Sequence, residues 1–572
     1  MHYLTNRLFV FVAHVLFCAS SLSCTIRFLL SSVNVHKTQQ RILDRIIKEN
    51  RYTEFGKEHS FDVVSSIAQF QMRVPVRSYD DFLPFINKIL VGEQLILTKE
   101  PVLLLEPTSG SSGASKLIPY TRSLKSDFHR GINPWIVSLY MQYPSLFSGS
   151  MYWAISPLRQ KDQLTKYALP VGFQADEDYF NAIQKWVINK VMAVPKEVGE
   201  IIDVDTFRYA TNLFLVARKD LKLISVWSPT YISFLLKDLP DLLPDILEDL
   251  KTRRLSRIRG INQELQKTLE GKIVVGASRI KELEDIIKSG NGQKTLYEAL
   301  WPKLTVISAW QDGSAKDQSW EILSMFPHVY IQPKGLLSTE ACLSFPFFGN
   351  LSVLSVCSHF FEFQKVDETE STAFCLAHEL KTGKRYKAII TTSGGLYRYD
   401  LGDIVEVTGF FRSIPIIRFQ GRDKDKIVDL VGEKLNENFV DGIVTKTLKR
   451  LNLTPRFWMM APRDYSNGQY GYVLFIEFDY GIPTDMLQIL RIKTDTALKG
   501  NYHYELARRL GQLIELDLFL INSEDNRSAY EIFLETSYRL GQRLSTMKQT
   551  RLHHYIRWNS TFSGYFLNLK SP

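Results

Sequence analysis

Short apolar runs separated by turn residues recur through the middle of the chain: LTVISAW (304–310), HVYIQPKG (328–335), LSVLSV (351–356) and YKAIITTSGG (386–395). Runs of this length and punctuation fit buried strands. Helical stretches alternate with them. HKTQQRILDRIIKEN (36–50) has apolar residues at helical spacing, and the charged segment from Leu239 to Gly271 reads as helical throughout. Alternation of this kind points to an α/β architecture. At 572 residues the chain is too long for one core, so two or more domains are expected. The character changes after GRDKDKIVDLVGEKLNE (421–437). The tail repeats the alternation on a smaller scale: a helix near Phe439–Leu451, the strand run YGYVLFIEFDYG, a second helix, IELDLFLIN and a last helix. That is an α+β domain of about 140 residues, and the boundary is placed at about residue 424.

Composition excludes several classes. Hydrophobic residues make up 45% and charged residues 23%, as in ordinary globular proteins. The 70 basic residues exceed the 61 acidic ones for a formal charge of +9. A mild excess suits an anion-binding enzyme. Without a dense basic run interleaved with aromatics it does not point to nucleic acid. The five cysteines form no Cys-x-x-Cys pair, and they are too few for a disulfide framework in so long a chain.

The leader, residues 1–35, holds RLFVFVAHVLFCASSLSC from Arg7 to Cys24. A basic residue, an apolar stretch and then small residues fit a secretory signal or an anchor. The stretch is short for a full span and His14 interrupts it, so a helix packed on the body is the other reading.

TSGSSGASK, Thr108 to Lys116, has five hydroxyls, two glycines and a lysine, and cannot build a core. It is a polar linker or a backbone that wraps an anion. Lysine does not directly follow the last glycine, so the Walker spacing fails. Phosphate chemistry remains open: glycines let the backbone approach, exposed N–H groups form a nest, and hydroxyls and a lysine add donors. Other stretches bear on the choice. In GLLSTEA (335–341), Glu340 could hold magnesium through oxygen, or be a plain surface glutamate. In TTSGGLYRYDLGD (391–403), Asp403 could accept from ribose hydroxyls, or be a turn aspartate. In SHFFEF (358–363), the aromatics suit an acyl pocket or a core. Glu362 reads as an exposed alternate position, and His359 as a base or a structural histidine.

The order of these motifs resembles the adenylate-forming superfamily of acyl-CoA synthetases, luciferases and peptide-synthetase adenylation domains. Within it, RVPVRSYDDFLPFINKILVGEQ (73–94), KLIPYT (116–121), SHFFEF and TTSGGLYRYDLGD are similar to the plant-type Gretchen Hagen three family of acyl-acid amido synthetases. The resemblance runs from about His36 to the C-terminus. It implies a large adenylating domain (36–424) of mixed sheets and helices and a small mobile α+β domain (425–572).

The resemblance further implies an ATP-dependent ligase. It would activate a small carboxylic acid as an acyl adenylate, then pass the acyl group to an amine, an amino acid. Thr108, Ser109, Gly110, Ser111, Ser112, Gly113 and Lys116 would form the phosphate loop. Ser338, Thr339, Tyr397, Asp403 and Arg422 would complete the nucleotide site, and Glu340 would hold Mg2+. Lys548, with Lys434 second, would be the lysine carried by the small domain as it turns about a hinge near Arg422 to Lys426. The family's Ala-Ser-Ser-Glu stands here as Leu337-Ser338-Thr339-Glu340, the match around Lys548 is thin, and no counterpart of the hormone-binding residues is present. The acid is therefore left open. A thioester-forming acyl-CoA ligase and an inactive binding protein on the same fold are the alternatives. Two-domain alternation works in a monomer, so a monomer is expected. ATP chemistry favours a cytoplasmic body, or one anchored to a membrane and facing the cytosol. The leader leaves a secretory or endoplasmic-reticulum route open.

Overall fold

The four central apolar runs all form strands, each paired into a sheet and largely buried. The structure, a computed structural model, describes residues 2–108, 116–154, 169–171, 182–289, 293–311, 322–349, 351–366, 374–422, 427–428, 430–431, 433, 435–464, 470–522, 527–540 and 549–567. Among the described residues one compact unit runs to Gln420 and a second begins at Gly421.

In the first unit, β1 (Leu104–Pro107) and β2 (Leu117–Tyr120) pair as an antiparallel hairpin, Leu104 opposite Tyr120. Strands β3 (Ser150–Trp153), β4 (Leu221–Ser225), β5 (Val306–Ala309) and β6 (Tyr330–Pro333) form a parallel sheet in sequence order. All four residues of β5 are buried, as expected of a parallel strand covered on both faces. The larger sheet has seven strands. These are β7 (Ser344–Phe347), β8 (Leu351–Leu354), β9 (Phe360–Lys365), β10 (Phe374–Leu376), β11 (Arg385–Thr391), β12 (Tyr399–Phe411) and β13 (Ile414–Arg422). They lie in the order β10-β9-β11-β12-β13-β8-β7.

The second unit is built on two two-residue strands, β14 (Ile427–Val428) and β15 (Leu435–Asn436), and a four-stranded sheet. That sheet comprises β16 (Phe457–Asp464), β17 (Tyr470–Glu477), β18 (Asp517–Ile521) and β19 (Gly564–Phe566). Helices Glu437–Arg450, Thr484–Leu498, Tyr502–Arg509 and Ala529–Arg539 accompany it.

Two sequence expectations change. The segment from Leu239 to Gly271 is two helices, Leu239–Thr252 and Gln263–Glu270. The first stops where Arg253 turns left-handed, with φ +55°. The leader is helix α1 (His2–Ser31), followed by α2 (Val35–Asn50). At 30 residues, α1 is longer than its most apolar run suggests, and it packs along α3 (Arg122–Gln142). Phe17 meets Tyr140 edge-on, and Phe28 sits between Phe345 and Phe347 at 5.0 and 5.1 Å.

His14, which breaks the apolar run, fastens the helix instead. Its Nε2 is 2.7 Å from the Gly149 carbonyl and its Nδ1 is 2.6 Å from the Tyr140 hydroxyl. A carbonyl only accepts, so Nε2 carries the proton and Nδ1 accepts from Tyr140. Burial lowers the pKa of His14, and it drives that of the wholly buried His359 down to about 3. Both imidazoles are therefore neutral in the fold, while the unfolded chain protonates them below about pH 6.5. The unfolded state then binds more protons, so stability is retained above that pH and lost below it. We expect a loss of up to about 1.4 kcal/mol per pH unit for each histidine, continuing for His359 towards pH 3. Denaturant midpoints at pH 7 and pH 5.5 test this; a midpoint that holds or rises on acidification rules it out.

Candidate active site

Strands β1 and β2 flank the expected phosphate loop in sequence. Residues 109–115, including Ser109, Gly110, Ser111, Ser112 and Gly113, lie outside the described residues, so the neck is what the structure describes. There the Thr108 N–H donates to the Lys116 carbonyl at 2.8 Å, carrying the hairpin ladder one step further. The Lys116 ammonium lies 3.2 Å from the Tyr399 hydroxyl. It also faces two rings, with Tyr79 at 5.4 Å and Tyr399 at 5.9 Å from their centres. The Tyr79 hydroxyl accepts from the Leu117 N–H at 2.7 Å, fixing that ring beside the neck. Burial foremost, and then the carboxylates of Asp80 and Glu340, push the Tyr79 phenol above its ordinary pKa.

The Ser338–Glu340 motif is tied to the same hairpin. The Tyr120 hydroxyl, at the end of β2, donates to the Thr339 carbonyl at 2.6 Å. The Ser338 N–H donates to the Ala341 carbonyl at 2.9 Å, and the Ser338 hydroxyl accepts from the Ala341 N–H at 3.2 Å. That hydroxyl helps close the turn. Thr339 and Glu340 occupy the turn and are half-buried. Among the described residues no group of three or more His, Cys, Asp or Glu side chains is placed to hold a metal ion.

The third motif is pinned beside them. The Thr121 hydroxyl donates to the Ser393 carbonyl at 3.1 Å. At Gly394 a Cβ would come within 2.9 Å of the Pro119 carbonyl, so the turn can lie this close to β2 only as glycine. Tyr397, expected among the nucleotide contacts, points inward. It is fully buried, donates to the Leu97 carbonyl at 2.6 Å and stacks on Phe55 at 4.5 Å. It packs in the core. Tyr399, two residues on, meets Lys116 instead.

Asp403 lies in an irregular stretch of β12. Lys387 pairs with Ile404 but Ile389 with Asp400, so Leu401, Gly402 and Asp403 together face the single residue Ala388. Gly402 has φ +74°, and its N–H donates to the Asp400 carboxylate at 2.8 Å. Asp400 is itself paired with Lys387 at 2.8 Å. Asp403 is buried in this bulge.

The SHFFEF stripe does not line a pocket. Phe360, Phe361 and Phe363 are fully buried, and His359 accepts from the Cys342 N–H at 3.1 Å. Glu362 is not an exposed alternate position: both its oxygens accept from Arg398 Nε, at 3.1 and 3.0 Å. In the second unit, Lys434 and Lys548 lie outside the described residues, and Arg422 is the last residue of β13. The Arg551 N–H, close to Lys548 in sequence, donates to Glu437 at 2.5 Å, and its guanidinium covers the Trp458 ring at 4.4 Å.

Sequence reasoning missed Tyr79, Tyr120 and Tyr399. Each lies within or beside a motif already singled out, but nothing in a lone tyrosine says which way its hydroxyl turns.

Comparison with known proteins bears on the family and the fold. A family model described as the GH3 family N-terminal domain matches residues 25–329, and one described as the GH3 family central domain matches residues 352–422. Indole-3-acetic acid-amido synthetase GH3.15 of Arabidopsis thaliana is 25% identical over 69% of this chain and 69% of its own length. The 4-substituted benzoates-glutamate ligase GH3.12 of the same plant is 23% identical over 71% and 72%. A solved GH3.15 acyl acid amido synthetase has the same fold, with a TM-score of 0.76 at 19% identity over 94% of this chain and 96% of that one. With the N-terminal model alone covering more than half of its residues, the chain belongs to the GH3 family.

Proposed function

We propose that this chain is an ATP-dependent ligase that joins a small carboxylic acid to an amino acid through an acyl adenylate. The observation that carries the reading is the convergence at the hairpin neck: Lys116 on Tyr399, Tyr120 on Thr339 and Thr121 on Ser393 bring three separated motifs to one place. Relatives named as amido synthetases and as a benzoate–glutamate ligase support the same chemistry.

A carboxylate resists nucleophiles because its leaving group would be oxide. In the first half-reaction its oxygen attacks the α-phosphorus of ATP, and the bond to the bridging oxygen breaks to release pyrophosphate. In the second, the amine attacks the acyl carbon, AMP leaves with the bonding pair, and the amine loses a proton. The protein supplies position and fixed charge. Lys116 sets a cation at the base of the phosphate loop, and Asp403 holds the ribose. Lys548 and Lys434 are the lysines of the second unit that would serve one half-reaction and not the other. The chain works as a monomer.

Magnesium fits the donor set. It usually takes one or two protein carboxylates and completes its shell with phosphate oxygens and water, so the lone Glu340 suffices to hold it. When bound it supplies Lewis-acid charge against the phosphates.

Pyrophosphate release from the full chain, with ATP, magnesium and pooled aromatic, aliphatic and fatty acids, is the test. We expect acid-dependent release, and amide product when amino acids but not coenzyme A are added. Glu340→Gln should raise the magnesium needed for half-maximal release at least about tenfold. Acid-independent release, or a thioester product, would contradict the assignment. An unchanged magnesium dependence would remove Glu340 from the metal site.

A further inference from the structure

Helix α1 is built inside out. Its inward face includes Ala13, His14, Phe17, Ser21, Thr25 and Phe28, so half of these buried residues are polar. Its outward face carries Leu8 (65% exposed), Val12, Leu16, Leu22, Ile26 (56%) and Leu30 (70%), spaced four or six residues apart. A helix of a water-soluble protein shows the reverse pattern, apolar inward and polar outward. An apolar surface of this extent marks a place where something other than water belongs.

The patch continues beyond the helix. Phe9 meets the half-exposed Trp186 edge-on at 5.9 Å. Phe348, 48% exposed, adds a separate apolar side chain to this unit's surface.

Charge says what covers it. Residues 1–43 contain no Asp or Glu, while Arg27, Lys37 and Arg41 are exposed there. Arg412 joins them, its guanidinium donating to the Leu29 carbonyl and the Ser32 hydroxyl at 3.2 Å each. An apolar face with a cationic rim matches acyl chains beneath anionic headgroups. It does not match a second copy of the chain. A two-fold pairing would set like patches together, and residues 1–43 of a second copy offer the cationic rim no carboxylate.

Length and composition alone would let α1 cross a bilayer. Its inward contacts oppose that. His14 bonds Tyr140 and Gly149, and Gln184 bridges the Ser21 hydroxyl at 3.1 Å and Asn133 at 3.0 Å. Crossing would break these bonds, carry His14 into hydrocarbon and pull Phe28 out of the core. We propose that α1 stays packed on the first unit and docks its outer face in the plane of an anionic phospholipid bilayer, on the leaflet where ATP is plentiful.

The test is flotation of the full chain with vesicles of phosphatidylcholine, alone or mixed with phosphatidylserine. Wild type should float with the mixed vesicles and weakly with the neutral ones. Leu16→Glu with Ile26→Glu should lower the bound fraction at least tenfold. Arg27→Glu should lower binding to mixed vesicles at least about fivefold, an effect that added salt erases. Both proteins should keep the wild-type thermal midpoint and pyrophosphate release. Should the double variant not fold, wild type and Arg27→Glu decide alone. No flotation of wild type, or binding indifferent to these substitutions, overturns the proposal. So does a wild-type dimer in light scattering that the double variant splits, because the face would then belong to a second copy.

Discussion

Arg398→Ala should cost about 3–5 kcal/mol of stability, the scale for breaking a buried ion pair by removing one partner. The side chains of Arg398 and Glu362 are 3% and 1% exposed. Arg398 Nε donates to both Glu362 oxygens, and Nη1 donates to the carbonyls of Gln71 and Val74 at 3.0 and 2.8 Å. The Gln71 amide donates to Glu362 at 2.9 Å. Burial pushes the Glu362 carboxyl up and Arg398 pulls it back, so alanine leaves an uncompensated acid in the core. Two backbone carbonyls lose donors as well.

Activity should fall with stability, because the pair lies under the site. The Arg77 N–H donates to the Arg398 carbonyl, and the Asp400 N–H to the Arg77 carbonyl, so this cross-link sets the chain on either side of Tyr399. Arg398 itself has φ +47°, which costs a non-glycine residue about 1 kcal/mol. Arg398→Gly should therefore be less damaging than Arg398→Ala by roughly that amount. Arg398→Met with Glu362→Leu should recover most of the loss, since an apolar pair needs no desolvation repaid. Urea midpoints measure all three. An alanine variant within about 1 kcal/mol of wild type would mean that the pair behaves like a surface one.

This pair also shows where sequence stops being readable. Strand runs in the first unit were legible because apolar residues crowd at strand length, and β5, β6, β8 and β11 fall where those runs lie. Strand β16 was not: FWMMAPRD has an interior proline and two methionines, which argue against a strand until it pairs with β17. In SHFFEF a strand was visible but its environment was not. Glu362 alternates like a solvent-facing residue, and only a partner 36 positions away explains its burial. The three motifs of the site could be named, yet Tyr397 and Tyr399 look equivalent in YRYD. The strained Arg398 between them goes with two buried rings whose hydroxyls part, one to the Leu97 carbonyl and the other to Lys116, a tertiary fact that no local pattern encodes. For α1, the apolar residues were plain, but which face they occupy depends on α3 packing against the opposite one.

Lys116→Met should lower acid-dependent pyrophosphate release about a hundredfold, the usual effect of removing one preorganised donor to developing charge. Stability should stay within about 0.5 kcal/mol, as expected for a half-buried side chain whose removal orphans no buried charge. Among the described residues the Lys116 ammonium has a phenol and two ring faces for partners, and no carboxylate. A cation held this way is oriented yet not neutralised, which leaves its charge available to a phosphate. Tyr399→Phe separates the two roles. It keeps the ring beneath the ammonium and removes the 3.2 Å contact, so it should weaken release by far less than Lys116→Met. Lys116→Arg should restore ATP binding better than turnover, because a planar guanidinium keeps the charge but not the point geometry. Release within threefold of wild type in Lys116→Met would show that the hairpin neck only shapes the loop, and that the phosphates meet their cation elsewhere.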